Sequence, residues 1–182
     1  MRADARRKYD RILEVAKDVW FKQGIDASLN EVARRAEVGP GTLYRHFPTR
    51  EDLLDAVMKD WVDRMREAAD RGVASSQPPR ELLLTWFEDL VAHICQNPGA
   101  AARLIGAMDN LRSPLNNKWQ VLIEANARVI NRLSAEGALR GDADSADICR
   151  LLMGVAAVAD HGKLDLPAVR PLLAIVADAL LP

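Results

Sequence analysis

The chain has 182 residues, 49% hydrophobic and 28% charged, with a net charge of −1, three histidines and two cysteines. That length fits one large domain or two small ones, and the apolar fraction is ample for a buried core, which excludes a disordered chain. No apolar run is long enough to cross a bilayer, and no apolar signal core follows the charged start Met1-Arg2-Ala3-Asp4-Ala5-Arg6, so a cytoplasmic protein is expected.

From about Asp4 to Gln23, Ile12, Val15, Ala16, Val19 and Trp20 recur at helical spacing, and Gly24 offers a C-cap. Arg6, Arg7 and Lys8 at the start of this helix are candidates for phosphate contact or for a solvated arm. Ser28 opens a second helix, with Glu31 three residues on as its partner in a capping box. Leu29, Val32, Ala33 and Ala36 fall on its inner face and leave Asn30, Arg34 and Arg35 outside. Gly39-Pro40-Gly41 then turns the chain into a short helix from Pro40 to about His46, because proline suits the first helical turn. Leu43 and Phe47 point inward there, and Gly41, Thr42, Tyr44, Arg45 and His46 outward. Pro48 ends it, and Thr49 caps a fourth helix that starts with Glu51 and Asp52. Two short helices on a tight turn, with another behind them, have the layout of a DNA-reading helix-turn-helix.

Charge is distributed to match. Residues 1 to 50 carry 11 Lys and Arg against 7 Asp and Glu, a net of +4, and the remainder carries 14 against 19, a net of −5. A basic head on an acidic remainder suits nucleic-acid binding at one end only.

The head resembles the DNA-binding domain of the tetracycline-repressor (TetR) family of bacterial transcription regulators. The resemblance rests on Val32-Ala33, Val38, Tyr44-Arg45-His46-Phe47 and Arg50-Glu51, and with Ile12-Leu13 to Gly24 it covers about a third of the chain. The chain departs from the family pattern at Glu37, where Gly is usual, at Gly39, where Ser or Thr is usual, and at Arg50, where Lys is usual. Glu37 is the consequential departure, since residues other than Gly, Asn and Asp are ill at ease at positive φ.

Beyond the head, Leu53, Leu54, Val57, Trp61 and Met65 stripe a long helix from Thr49 to about Gly72, and Ala74 to Pro79 is a loop. Further helices are expected over about Arg80 to Gln96, Ala100 to Leu111, Ser113 to Glu136, Ser145 to Asp160 and Leu166 to Leu181. Gly137-Ala138-Leu139-Arg140-Gly141-Asp142 is a turn like one in many family members. The whole reads as all-α, about nine helices, with a helix-turn-helix domain over 1–48 and a helical effector-binding and dimerisation domain over 49–182. Cys95 and Cys149 lie in apolar helical context and read as buried small hydrophobes.

Base reading needs side chains on a helix in the major groove, and register needs phosphate donors. Thr42 and Arg45 are candidates for bases, Gly41 for close backbone approach, and Ser28, Arg34, Pro40 and Arg50 complete the DNA-facing set; the resemblance assigns Tyr44 and His46 to phosphates. Large or soft residues mixed with isolated polar groups mark an effector pocket, with Trp86, His93, Met108, Trp119, Asn126, Met153 and Asp160 as candidates. Apolar residues on more than one face of the last two helices, among them Leu151, Val155, Leu172 and Val176, call for a second copy of the chain, and the resemblance implies a four-helix dimer interface. No metal cluster, phosphate loop or nucleophile motif is present, so no cofactor, metal or enzymatic activity is expected. The reading is a homodimeric regulator of operator DNA, most often a repressor, released by a small organic effector. The alternative is a helical adaptor whose helix-turn-helix meets a protein.

Overall fold

Each helix start leaves backbone amides in need of acceptors, and at several starts in this chain short polar side chains meet that need. Asp144 accepts from the amides of Ala146 and Asp147, and Asp165 from that of Ala168. Thr49 and Asp52 form a reciprocal box: the Asp52 amide donates to the Thr49 hydroxyl at 3.1 Å, and the Thr49 amide to the Asp52 carboxylate at 2.9 Å.

The structure is a computed structural model that describes residues 2–24, 27–108, 110–141 and 144–182. Among these residues the regular structure is helical throughout: α1 (Arg2–Gln23), α2 (Leu29–Arg35), α3 (Pro40–His46), α4 (Arg50–Ala74), α5 (Pro79–Ile94), α6 (Ala100–Ile105), α7 (Asn116–Ala135), α8 (Ser145–Gly162) and α9 (Leu166–Leu180). The chain divides into two compact units, Met1–Asp60 and Trp61–Pro182, and the division falls within α4.

In the first unit α1 packs on α2 and α2 on α3. Ile12, Ala16 and Val19 of α1, Val32 of α2, Leu43 of α3 and Leu53 of α4 are fully buried. Burying each large side chain contributes about 1.5–3 kcal/mol, enough for a small head to hold a short helix in place. Trp20 is core, as expected.

In the second unit α5 packs on α8 and α9, and α8 also meets α6, α7 and α9. α5 buries the largest set of apolar side chains among these helices, with Leu82, Leu83, Trp86, Phe87, Leu90, Val91 and Ile94 shielded from water. α6 is shorter than the expected span to Leu111. Its chain leaves the helix at Gly106 through tight turns in which the amides of Ala107 and Met108 reach back only three residues. The Asn116 side chain then takes up the Ala107 carbonyl at 2.9 Å, and α7 starts at Asn116 instead of Ser113. In the Gly137–Gly141 turn, Arg140 caps the end of α9, its amide donating to the Leu180 carbonyl and its Nε to that of Leu181. The last residue of that predicted turn, Asp142, lies outside the described residues.

Candidate functional site

The two helices of the reading motif are set by the turn between them. The Val38 amide donates to the Ala33 carbonyl at 3.0 Å and the Glu37 amide to that of Arg34 at 3.2 Å, a Schellman closure of α2. Such a closure needs a left-handed residue after the cap. Glu37 fills it with φ 57°, where the sequence departs from the usual glycine. Gly39 is the extended N-cap of α3 and Pro40 its first residue. The expected box between Ser28 and Glu31 is not formed. Ser28 instead accepts from the Asn30 amide at 3.2 Å, because the Glu31 carboxylate is taken by two arginines of its own helix.

α3 buries Leu43 and thereby presents its other side chains together. Tyr44 is 47% exposed, Arg45 and Gly41 are exposed, and Thr42 and His46 are half-buried. A Cβ at Gly41 would meet no atom within 4 Å, so the head's own packing does not require glycine there. Tyr9 of α1 braces the far end of α3: its ring lies 4.9 Å from that of Phe47 and 5.9 Å, edge to face, from that of His46.

Charge at this face is uneven. Arg34 donates to Glu31 from Nε at 2.9 Å and Nη2 at 2.8 Å, and Arg35 from Nε at 2.6 Å. Those bonds hold the Glu31 carboxyl down at about 2. Lys8, Arg6, Arg11 and Lys22 of α1 pair along their own helix with Asp4, Asp10, Glu14 and Asp18. Arg45 has no carboxylate partner among the described residues, and its one hydrogen bond, to the Thr42 hydroxyl, is 3.5 Å long. Arg50 sits at the start of α4, where its Nη1 donates to the Ala27 carbonyl at 2.9 Å and ties that start to the segment before α2. Ser28 is exposed at the N-terminus of α2, and Pro40 is exposed at that of α3.

In the second unit the polar effector candidates have protein partners. Asn126, fully buried, accepts from the Trp86 indole at 2.9 Å and donates to the Ser145 carbonyl at 2.6 Å. His93 stacks on Trp61 at 4.7 Å with Nε2 2.8 Å from the Trp61 carbonyl, and Gln96 meets Nδ1 at 3.4 Å. A neutral ring with its proton on Nε2 satisfies both contacts, and burial lowers its pKa to about 4. Asp89, one turn before His93 on α5, meets Arg71 at 3.6 Å. Asp160 accepts from the amides of Gly99 and Ala101 and so holds the start of α6 against α8. Trp119 and Met153 are buried and Met108 is half-buried. An open cavity of about 400 Å³ lies elsewhere, between α4 and α7, lined by Val62, Arg66, Gln120, Val121 and Glu124 with the Asn116–Lys118 turn. Sequence reasoning missed it because its lining residues read one by one as ordinary solvated positions.

α8 and α9 leave large apolar side chains in water. Leu151 is 59% exposed, Val158 54% and Ile175 68%, with Val155, Leu172 and Val176 half-buried beside them. This is a face with no cover in one copy of the chain.

Residues 12–57 match the family model described as bacterial regulatory proteins, tetR family, and residues 78–182 match that of the transcriptional regulator SbtR-like C-terminal domain. The chain is 25% identical over 163 residues to the HTH-type transcriptional regulator UidR of Escherichia coli K12, covering 84% of this chain and 80% of that one. The crystal structure of the TetR transcriptional regulator SCO0520 from Streptomyces coelicolor is 32% identical, with 95% and 98% of the two chains covered and a TM-score of 0.59. A gamma-butyrolactone receptor, an ArpA-like protein, shares the fold at 20% identity and a TM-score of 0.62, covering 96% of this chain and 98% of its own.

Proposed function

The chain belongs to the TetR family of bacterial regulatory proteins, and on that premise we propose that it is a cytoplasmic, homodimeric repressor released from operator DNA by a small organic effector. Residues 1–48 read the DNA, and residues 49–182 bind the effector and pair the subunits. The observation that carries the reading is the exposed face of α3, where Thr42, Tyr44 and an uncompensated Arg45 stand together behind a closed turn. A guanidinium without a carboxylate partner is free to pair with the O6 and N7 of guanine, and the Thr42 methyl suits a thymine. Tyr44 and His46 serve phosphates, Ser28 and Pro40 bring helix N-termini to them, Gly41 admits the backbone, and Arg34 stands on the DNA-facing side of α2 with its guanidinium held by Glu31. Arg50 acts on DNA through the segment it holds.

Leu151, Val155, Leu172 and Val176 support the dimer, since two copies of an uncovered apolar face close on each other by a two-fold axis. That symmetry places two heads on a palindromic site. The effector reading is supported by the cavity between α4 and α7 and by α4 itself, which both units share. A related fold serves a receptor for gamma-butyrolactone. Trp86, His93, Trp119, Asn126 and Met153 frame the effector unit from its core, and Met108 and Asp160 lie where α6 meets its neighbours. Effector binding shifts the dimer toward a state whose heads no longer match successive major grooves. DNase footprinting on the chain's own upstream region tests the reading: a two-fold-symmetric protected site that disappears on adding a metabolite extract supports it, and an unprotected region contradicts it.

A further inference from the structure

On α2 and α3 three arginines lie close in sequence, yet their electrostatic states differ. Arg34 and Arg35 share one carboxylate, Glu31, through three hydrogen bonds of 2.6–2.9 Å. Asp18 of α1 stands 3.6 Å from Arg35 as a second acid. Arg45 of α3 has neither. The first helix of a helix-turn-helix crosses the DNA backbone and the second enters the groove, so cations on α2 give sequence-blind phosphate affinity while those on α3 can read bases. A guanidinium held on two donors by a carboxylate has to give up charge-assisted bonds before it meets a phosphate, and its field is cancelled until then.

We propose that Glu31 is a specificity-setting residue: it withholds Arg34 and Arg35 from the phosphates and leaves Arg45 as the uncompensated arginine of the reading motif. The proposal rests on the reading of α2 and α3 as the DNA-facing pair. Glu31 touches no DNA in this account and acts through Arg34. Arg35, on Glu31 of its own helix and Asp18 of α1, stays as a strut. Arg34, 72% exposed and held by Glu31 alone, is the one that is released.

The test uses the full-length protein, its footprinted operator duplex and a scrambled duplex of the same length and composition, in fluorescence anisotropy across a salt series. Glu31→Gln keeps the shape and removes the charge. It should tighten binding to the scrambled duplex about threefold to tenfold at low salt, steepen the salt slope by about one, and lower the operator-to-scrambled ratio by a similar factor. Glu31→Asp keeps the charge and should keep the wild-type slope. Adding Arg34→Ala to Glu31→Gln should return the slope to the wild-type value, which a merely structural role for Glu31 would not do. Melting temperatures identify any variant that has lost the head's fold, and for such a variant the Asp form and the double variant decide. An unchanged slope in a folded Glu31→Gln protein that still prefers its operator overturns this proposal alone. A wild-type protein without operator preference overturns the functional reading and the proposal with it.

Discussion

Asn126 sits with no exposed surface between Trp86 and Ser145, and its carbonyl gives the buried Trp86 indole its acceptor while its amide nitrogen ties in the start of α8. Replacing it with alanine strands the indole N–H in the core and removes the tie to α8, so Asn126→Ala should cost about 2–4 kcal/mol in urea denaturation. Glu37 presents the opposite case, a residue whose backbone is at odds with its side chain. At φ 57° it bears a steric cost that glycine escapes, and Glu37→Gly should raise stability by about 0.5–1 kcal/mol, read as a higher urea midpoint with the slope unchanged. The sequence marks both residues as unusual, but only Glu37 discloses its role there, because a left-handed turn position follows from local order. Asn126 depends on α5 and on Ser145 at the start of α8, 40 and 19 residues away, and no local pattern carries that.

Elements divide in the same way. α1 to α5 and α7 to α9 follow from apolar stripes, capping residues and prolines, all of which act within a turn or two. α6 does not: the segment past Gly106 to Leu111 is expected to stay helical, but the Asn116 side chain takes the Ala107 carbonyl and Leu111 ends 86% exposed. The contact of α4 with α5 supplies a pH test. His93 is neutral between Trp61 and Gln96, with its pKa lowered from 6.5 to about 4 by burial. The unfolded chain therefore takes up a proton that the folded one refuses as pH falls from 6.5 to 4. Stability is fully present above 6.5 and declines through that window by about 1–2 kcal/mol, the exposed neighbours Arg64 and Gln96 screening the remainder. Urea denaturation at pH 7 and pH 5 checks this, and His93→Gln should flatten the difference between the two.

For the molecule as a whole, the uncovered face of α8 and α9 carries the proposed assembly. Val155→Glu would bury an unpaired carboxylate at the proposed two-fold interface and should shift sedimentation equilibrium at micromolar protein from dimer to monomer. A wild-type monomer under those conditions contradicts the assembly. Fold class and the reading helix were legible from the chain because capping, turn chemistry and the Tyr-Arg-His-Phe run are local. The open cavity was not, since Val62 and Arg66 meet Gln120, Val121 and Glu124 only once α4 and α7 lie together. Reading of a specific site by α3 is tested most directly by fluorescence anisotropy of wild type and Arg45→Ala on operator and scrambled duplexes. Arg45→Ala should cost about 1–3 kcal/mol on the operator and much less on the scrambled duplex. Equal losses on both duplexes, or no loss on either, would contradict it.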